Sequence, residues 1–202
     1  MYKMPVVSMQ ERVQSLGESG KYVSVFWQQP ESLVFVARGR AYRSEFHINP
    51  SDEVMIQLKG EMHLHYRTPE GKEEVVVIPE GAAIHTPAGI PHSPRFPPDA
   101  YAMILERGRR AGEEDVFQWY CPQCDHLLHE ERFTVGNYGA DPVAQAYRNF
   151  YDNVQHRTCK ACGHVMPNAL AEAEAAEAAE AAGAEAAATG ANDSARHANS
   201  GD

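Results

Sequence analysis

A chain of 202 residues, 43% hydrophobic and 23% charged, has the composition of an ordinary globular protein and can bury a sizeable core. Its formal charge is −10, but seven acidic residues against one arginine from Leu170 onward account for six of those charges, and no basic stripe invites nucleic acid. No apolar run reaches about 18 residues and the opening Met1-Tyr2-Lys3-Met4-Pro5 lacks a signal-peptide core, so the reading is a cytoplasmic protein with no membrane segment.

Ser8-Met9-Gln10-Glu11 is a capping box, and the helix it opens is expected to stop at Gly17 and to pack over the entrance or edge of a sheet. From Tyr22 the pattern changes to eight short β-rich runs. They are Tyr22–Trp27, Leu33–Ala37, Tyr42–His47, Val54–Leu58, Met62–Tyr66, Glu74–Ile78, Ala82–His85 and Tyr101–Glu106. Turn chemistry separates them, as at Gln29-Pro30, Asn49-Pro50, Lys59-Gly60 and Pro79-Glu80-Gly81. Many short strands at even spacing predict a sandwich or barrel.

Two spaced residue sets inside these runs describe one metal site. The first is Glu45-Phe46-His47, then Glu53, then Gly60; the second is Gly81, then Pro87-Ala88-Gly89, then His92. Two imidazoles and one carboxylate with open positions form the facial triad of non-haem Fe(II) oxygenases, although zinc or nickel could use the same three ligands. The sets select the double-sheet jelly roll of cupins within the all-β class. The Asn49-Pro50 turn is expected to lay two strands side by side, bringing His47 to Glu53. Gly60 and Gly81 are expected to supply turn conformations that a side chain resists.

His63, His65 and His85 fall outside the pattern and are read as structural or barrel-lining. Arg43, four residues before His47, is expected to share its face in an extended strand and to meet a bound carboxylate. Arg95 could do so from the other side, or lie at the surface. Glu106 is a candidate base or hydrogen-bond acceptor, against a salt bridge with Arg107 or Arg109.

Beyond Gly112 come two C-x-x-C pairs, Cys121/Cys124 and Cys159/Cys162, which read as a closed tetrahedral set for zinc or iron. Between them Asp141-Pro142 offers a helix start, with Val143, Ala146, Tyr147, Phe150, Tyr151 and Val154 on one stripe. The Ala/Glu-rich end has no evident apolar face and reads as fraying helix passing into disorder. The expected division is a catalytic domain over 1–118, a four-cysteine metal-binding appendage over 119–167 and a low-complexity tail over 168–202.

The chain resembles the bacterial-type 3-hydroxyanthranilate 3,4-dioxygenases. The resemblance rests on Arg43…Glu45-Phe46-His47, Asp52-Glu53…Gln57-Leu58-Lys59-Gly60, Pro91-His92-Ser93-Pro94-Arg95, Ile104-Leu105-Glu106-Arg107, Phe117-Gln118-Trp119-Tyr120-Cys121 and the second knuckle. It implies a cupin barrel with a rubredoxin-like appendage, and Fe(II) on His47, Glu53 and His92. It further implies Arg43 and Arg95 on the substrate carboxylate, Glu106 at the chelating groups, and dioxygen as co-substrate. The implied product is 2-amino-3-carboxymuconate semialdehyde, on the tryptophan-to-NAD route, made by a homodimer. A second iron or zinc is implied at Cys121, Cys124, Cys159 and Cys162. Two readings stand beside this one: the same cleavage of another ortho-aminophenol or catechol-like acid, and a cupin that binds a small carboxylate without turnover. Arg95 follows Pro94 directly, one residue sooner than the family pattern, and Val54-Met55-Ile56-Gln57 lacks the aromatic residues usual there.

Overall fold

The computed structural model describes residues 4–138, 143–179 and 182. Among the described residues, eleven strands form two antiparallel sheets. The five-stranded sheet runs in the order β1 (Val23–Gln29), β2 (Ser32–Arg38), β9 (Tyr101–Glu106), β4 (Glu53–Lys59) and β7 (Ala83–Thr86). The six-stranded sheet runs β11 (Leu127–Phe133), β10 (Asp115–Tyr120), β3 (Phe46–Ile48), β8 (His92–Arg95), β5 (Met62–Arg67) and β6 (Glu73–Ile78). The fold is mainly β and jelly-roll-like, as the even strand spacing predicted.

Period two explains the core. Leu33, Phe35, Met55, Met62, Leu64, Ala102 and Ile104 alternate inward from facing strands and form one buried cluster between the sheets. On the outer face of β2, Val36 packs with Leu16 and Tyr101. Leu16 belongs to α1 (Met9–Glu18), whose cap is the expected Ser8, accepting from the Glu11 N–H at 3.2 Å. The helix runs through Gly17 to Glu18, with Ser19 as its C-cap. Gly60 and Gly81 do take left-handed turns, with φ of 73° and 81°.

Three strands were not foreseen: β8, β10 and β11. β10 crosses the expected 118/119 boundary and pairs with both β3 and β11, so the chain enters the cysteine region as part of the barrel sheet. Asp115, Phe117 and Trp119 share one face of β10, and Trp119 stacks on Phe150 at 4.3 Å between ring centroids. Phe150 lies on α2 (Ala144–Tyr151), with Ala146, Tyr147 and Tyr151 also buried. The expected stripe breaks before Val154, which begins a separate short α3 (Val154–Arg157) and is exposed. The Asp141-Pro142 start lies outside the described residues.

The tail reading needs correction in its first part. Residues 169–179 are helical, and Leu170 is buried, with Ala169 and Ala173 packed against the same aromatic cluster. Small alanine faces suffice because the bulk is supplied by Tyr22, Tyr42 and Tyr147. Arg148 pairs with Glu174 at 2.7 Å, and Tyr22 Oη donates to Glu177 at 2.8 Å. The expected disorder beyond this helix falls mostly outside the described residues.

Candidate metal centre

His47, Glu53 and His92 bring one ligand atom each to within 4.8 Å of one another. The route differs from the sequence expectation. β3 and β4 do not lie side by side; they belong to opposite sheets, so Glu53 reaches the histidines across the barrel. His47 and His92 are themselves direct cross-strand partners on β3 and β8. His63, His65 and His85 stay outside, each beside an acidic residue: Glu61, Glu73 and Asp52 respectively.

Each member of the triad is held in place. His92 Nδ1 is 2.8 Å from the Ile90 carbonyl, and His47 Nε2 is 2.6 Å from Asp115 Oδ1. These contacts fix both rings and leave the other nitrogen of each for a cation, which is how ligand histidines are ordinarily oriented. Glu53 Oε2 lies 2.7 Å from His92 Nε2, and Glu53 Oε1 accepts from Asn49 at 2.6 Å. Burial alone would raise the Glu53 carboxyl, but His92, His47 and Asn49 outweigh it and hold it below the usual carboxylate range. A buried, ionised carboxylate beside two imidazoles is a donor set suited to a divalent cation.

Glu106 stands on β9 next to β4 and faces the same cavity. Its Oε2 accepts from Asn49 and from Arg109 Nη1 at 2.8 Å, and the Tyr138 hydroxyl, which accepts from Arg109 at 2.7 Å, also interacts with the carboxylate. Burial, and then the charge of Glu53, push its carboxyl up. Glu106 is thus paired with Arg109, and its carboxyl also lines the cavity. Arg107 is taken by Glu113 instead, at 2.6 Å.

The cavity, about 100 Å³, is lined by the triad, Glu106 and Arg43, with apolar walls that include Phe35, Met55 and Phe96. Arg43 precedes β3, not within it, and its Nε lies 3.0 Å from Glu45 Oε1. Glu45 is anchored by Tyr147 Oη at 2.7 Å. Arg95 is not brought to this cavity. It lines a separate cleft with Ser44, Glu73 and Tyr120, beside the cysteines.

Sequence reasoning missed Asp115, took Asn49 only as a turn residue, and offered Arg109 only as a salt-bridge partner of Glu106. Arg109 forms a forked pair with Asp115 at 2.7 and 2.6 Å, closing a chain of contacts from His47 to Glu106. The available signal was Asn49, two residues after His47, and Asp115, two residues before Phe117: the same-face spacing.

The four cysteines also converge within 4.8 Å, with Cys121 to Cys162 at 3.6 Å and Cys124 to Cys159 at 3.5 Å. A disulfide needs about 2.05 Å, whereas a tetrahedron with metal–sulfur bonds near 2.3 Å has edges of roughly 3.8 Å. The knuckles match in backbone. Cys121 N–H donates to His126 O and Cys159 N–H to His164 O, both at 2.8 Å. The residue after each second cysteine is left-handed: Asp125 at φ 57° and Gly163 at 76°. Asp125 carries that strain while forming a forked pair with Arg67 at 2.8 and 2.7 Å.

The family model for 3-hydroxyanthranilic acid dioxygenase matches residues 21–151. A 3-hydroxyanthranilate 3,4-dioxygenase of Bacillus thuringiensis (strain Al Hakam) is 38% identical over 148 residues, 73% of this chain and 82% of the relative. One from Xanthomonas euvesicatoria pv. vesicatoria (strain 85-10) is 35% identical over 140 residues, covering 69% and 78%. Among solved structures, protein NMB1881 of Neisseria meningitidis aligns with TM-score 0.42 at 15% identity, over 52% of this chain and all of that one.

Proposed function

The chain belongs to the 3-hydroxyanthranilic acid dioxygenase family of ring-cleaving enzymes, and from that premise we propose that it opens 3-hydroxyanthranilate with dioxygen to 2-amino-3-carboxymuconate semialdehyde. In this reading His47, Glu53 and His92 hold ferrous iron. The iron, when bound, supplies the electrons and open positions that let dioxygen react with an aromatic ring carrying adjacent hydroxyl and amino groups. The protein does the rest. Arg43 meets the ring carboxylate with its forked donors. The Glu106 carboxylate, whose proton affinity is raised chiefly by burial, accepts the hydroxyl proton. Phe35, Met55 and Ile104 keep water from the ring.

The observation that carries the proposal is the convergence of His47, Glu53, His92, the buried Glu106 carboxylate and Arg43 on one cavity. A carboxylate-binding module without turnover needs neither the open-sided triad nor Glu106. Anaerobic loading with Fe(II), followed by air and 3-hydroxyanthranilate, should give the absorbance of the muconate product in proportion to iron. Iron-loaded protein that leaves the compound intact would overturn this reading. Cys121, Cys124, Cys159 and Cys162 hold a second iron or zinc with a structural role. We further propose a homodimer in the cytoplasm; among the described residues no helix is long and apolar enough to cross a membrane.

A further inference from the structure

The alternation of β8 continues beyond His92. His92 and Pro94 face the cavity, Ser93 and Arg95 face away, and Phe96 returns to the cavity wall. The register with β5 fixes the sense. Pro94 lies opposite Leu64, a buried barrel residue, while Arg95 lies opposite His63, whose side chain is half exposed. On that outer side Arg95 is occupied: Nε donates to Ser93 Oγ at 3.1 Å, Nη2 donates to the Ser44 carbonyl at 3.2 Å, and Nη1 is 3.9 Å from Glu73.

Phe96 is equally fixed on the inner side. It is buried in the cluster of Phe35, Met62 and Leu64. Its backbone is pressed against Gly39, where a Cβ would come within 2.0 Å of the Phe96 carbonyl oxygen. The strand cannot rotate to exchange the two residues without breaking both sets of contacts and turning His92 away from Glu53.

Resting on the ring-cleavage reading of this cavity, we propose that Phe96 is a specificity-determining residue, standing on the cavity side that Arg95 does not reach. The ring then meets an aromatic wall along β8, and the carboxylate is recognised from the Arg43 side. The favoured class is ortho-aminophenols held chiefly by chelation and ring contact, with the carboxylate a contribution of Arg43 and not of Arg95. Aromatic contacts of this kind add to binding beyond the area they bury.

The test compares 3-hydroxyanthranilate with 2-aminophenol, which lacks the carboxylate, by anaerobic equilibrium binding to the iron-loaded full chain. Arg95→Ala should leave the ratio of the two affinities within about twofold, since its donors are engaged outside the cavity, whereas Arg43→Ala should lower it by about tenfold or more. Phe96→Arg should raise the ratio about tenfold by adding a cation to the cavity. Since that variant places a charge in a buried cluster, Phe96→Leu serves beside it: both affinities should fall together, by about fivefold, with the ratio unchanged. The proposal is overturned if Arg95→Ala lowers the ratio as far as Arg43→Ala, or if Phe96→Leu alters neither affinity. Binding needs no turnover, so a protein showing the expected pattern yet opening neither ring would overturn the ring-cleavage reading alone.

Discussion

His47, Glu53 and His92 come from three strands of two sheets and meet beside a cavity; Cys121, Cys124, Cys159 and Cys162 come from two matching turns and close on one another. The first set is held by a frame that exists without it, because each strand has its own ladder and the inter-sheet cluster. The second set joins two turns that the β10–β11 ladder and the aromatic cluster hold only from one side. The difference says where damage should appear: at the barrel site in chemistry, at the knuckles in structure.

The sharpest way to test that contrast is to remove one ligand from each. His47→Ala or His92→Ala should reduce barrel iron and turnover to background while the cysteine metal and the fold persist, read by metal analysis per chain and circular dichroism. Full activity in either variant would sink the triad. Replacing Cys121 and Cys124 by Ser should do the reverse: one metal fewer per chain and a lower melting temperature, with ring cleavage remaining where the barrel stays folded. Unchanged metal content in the folded double variant would contradict a metal held by the four thiolates.

Arg43→Ala probes the cavity without touching the ligands. Losing a charge-assisted pair there should cost on the order of 2–5 kcal/mol, or roughly thirtyfold or more in kcat/KM for 3-hydroxyanthranilate, with iron content intact. Equal damage to 2-aminophenol turnover would mean that Arg43 supports the fold instead. Asp115→Asn should weaken iron binding by about 10–100-fold, because the group orienting His47 is changed while the ligand remains. Competition with a ferrous chelator measures it.

The smallest expected effect is on pH dependence. The Glu106 carboxyl is raised, so it takes up a proton as pH falls while other carboxylates are still ionised. A base is lost on protonation; kcat/KM should therefore decline on the acid side from a pH above the ordinary carboxylate range. Glu106→Gln should flatten that limb at a lower rate throughout. If the acid limb survives in Glu106→Gln, another group controls it.

Much of this was legible in the residues. The ligand spacing, the paired cysteines, the Ser8 cap and the barrel class all follow from local rules that act within a few residues. Long-range pairing was less so. An Asn-Pro turn between two β-rich runs suggested adjacent strands, yet Asn49 instead carries the chain from one sheet to the other and bridges Glu53 to Glu106. β8 hid behind Pro91 and Pro94, and β10 behind its proximity to Cys121. Asp115 followed Glu113 and Glu114 and so resembled a solvated acidic run. The helix over 169–179 buries small alanines against tyrosines supplied from elsewhere, a match no single segment displays.

The spacing of the cysteine contacts has a polymer-physics consequence. The paired sulfurs are 41 and 35 residues apart in sequence, so a shared metal ties the chain between them into a loop of about that length. Closing such a loop from a free coil costs on the order of 3 kcal/mol in chain entropy. Inside it lies α2, whose Tyr147 anchors Glu45 beside Arg43 and whose Tyr151 Oη is 2.8 Å from Ser44 Oγ. A metal there would hold α2 from its C-terminal side as the β10–β11 ladder holds it from its N-terminal side, and so would favour the contacts of its tyrosines with Glu45 and Ser44. Metal at the four thiolates would thereby support Arg43 indirectly, through α2 and Glu45.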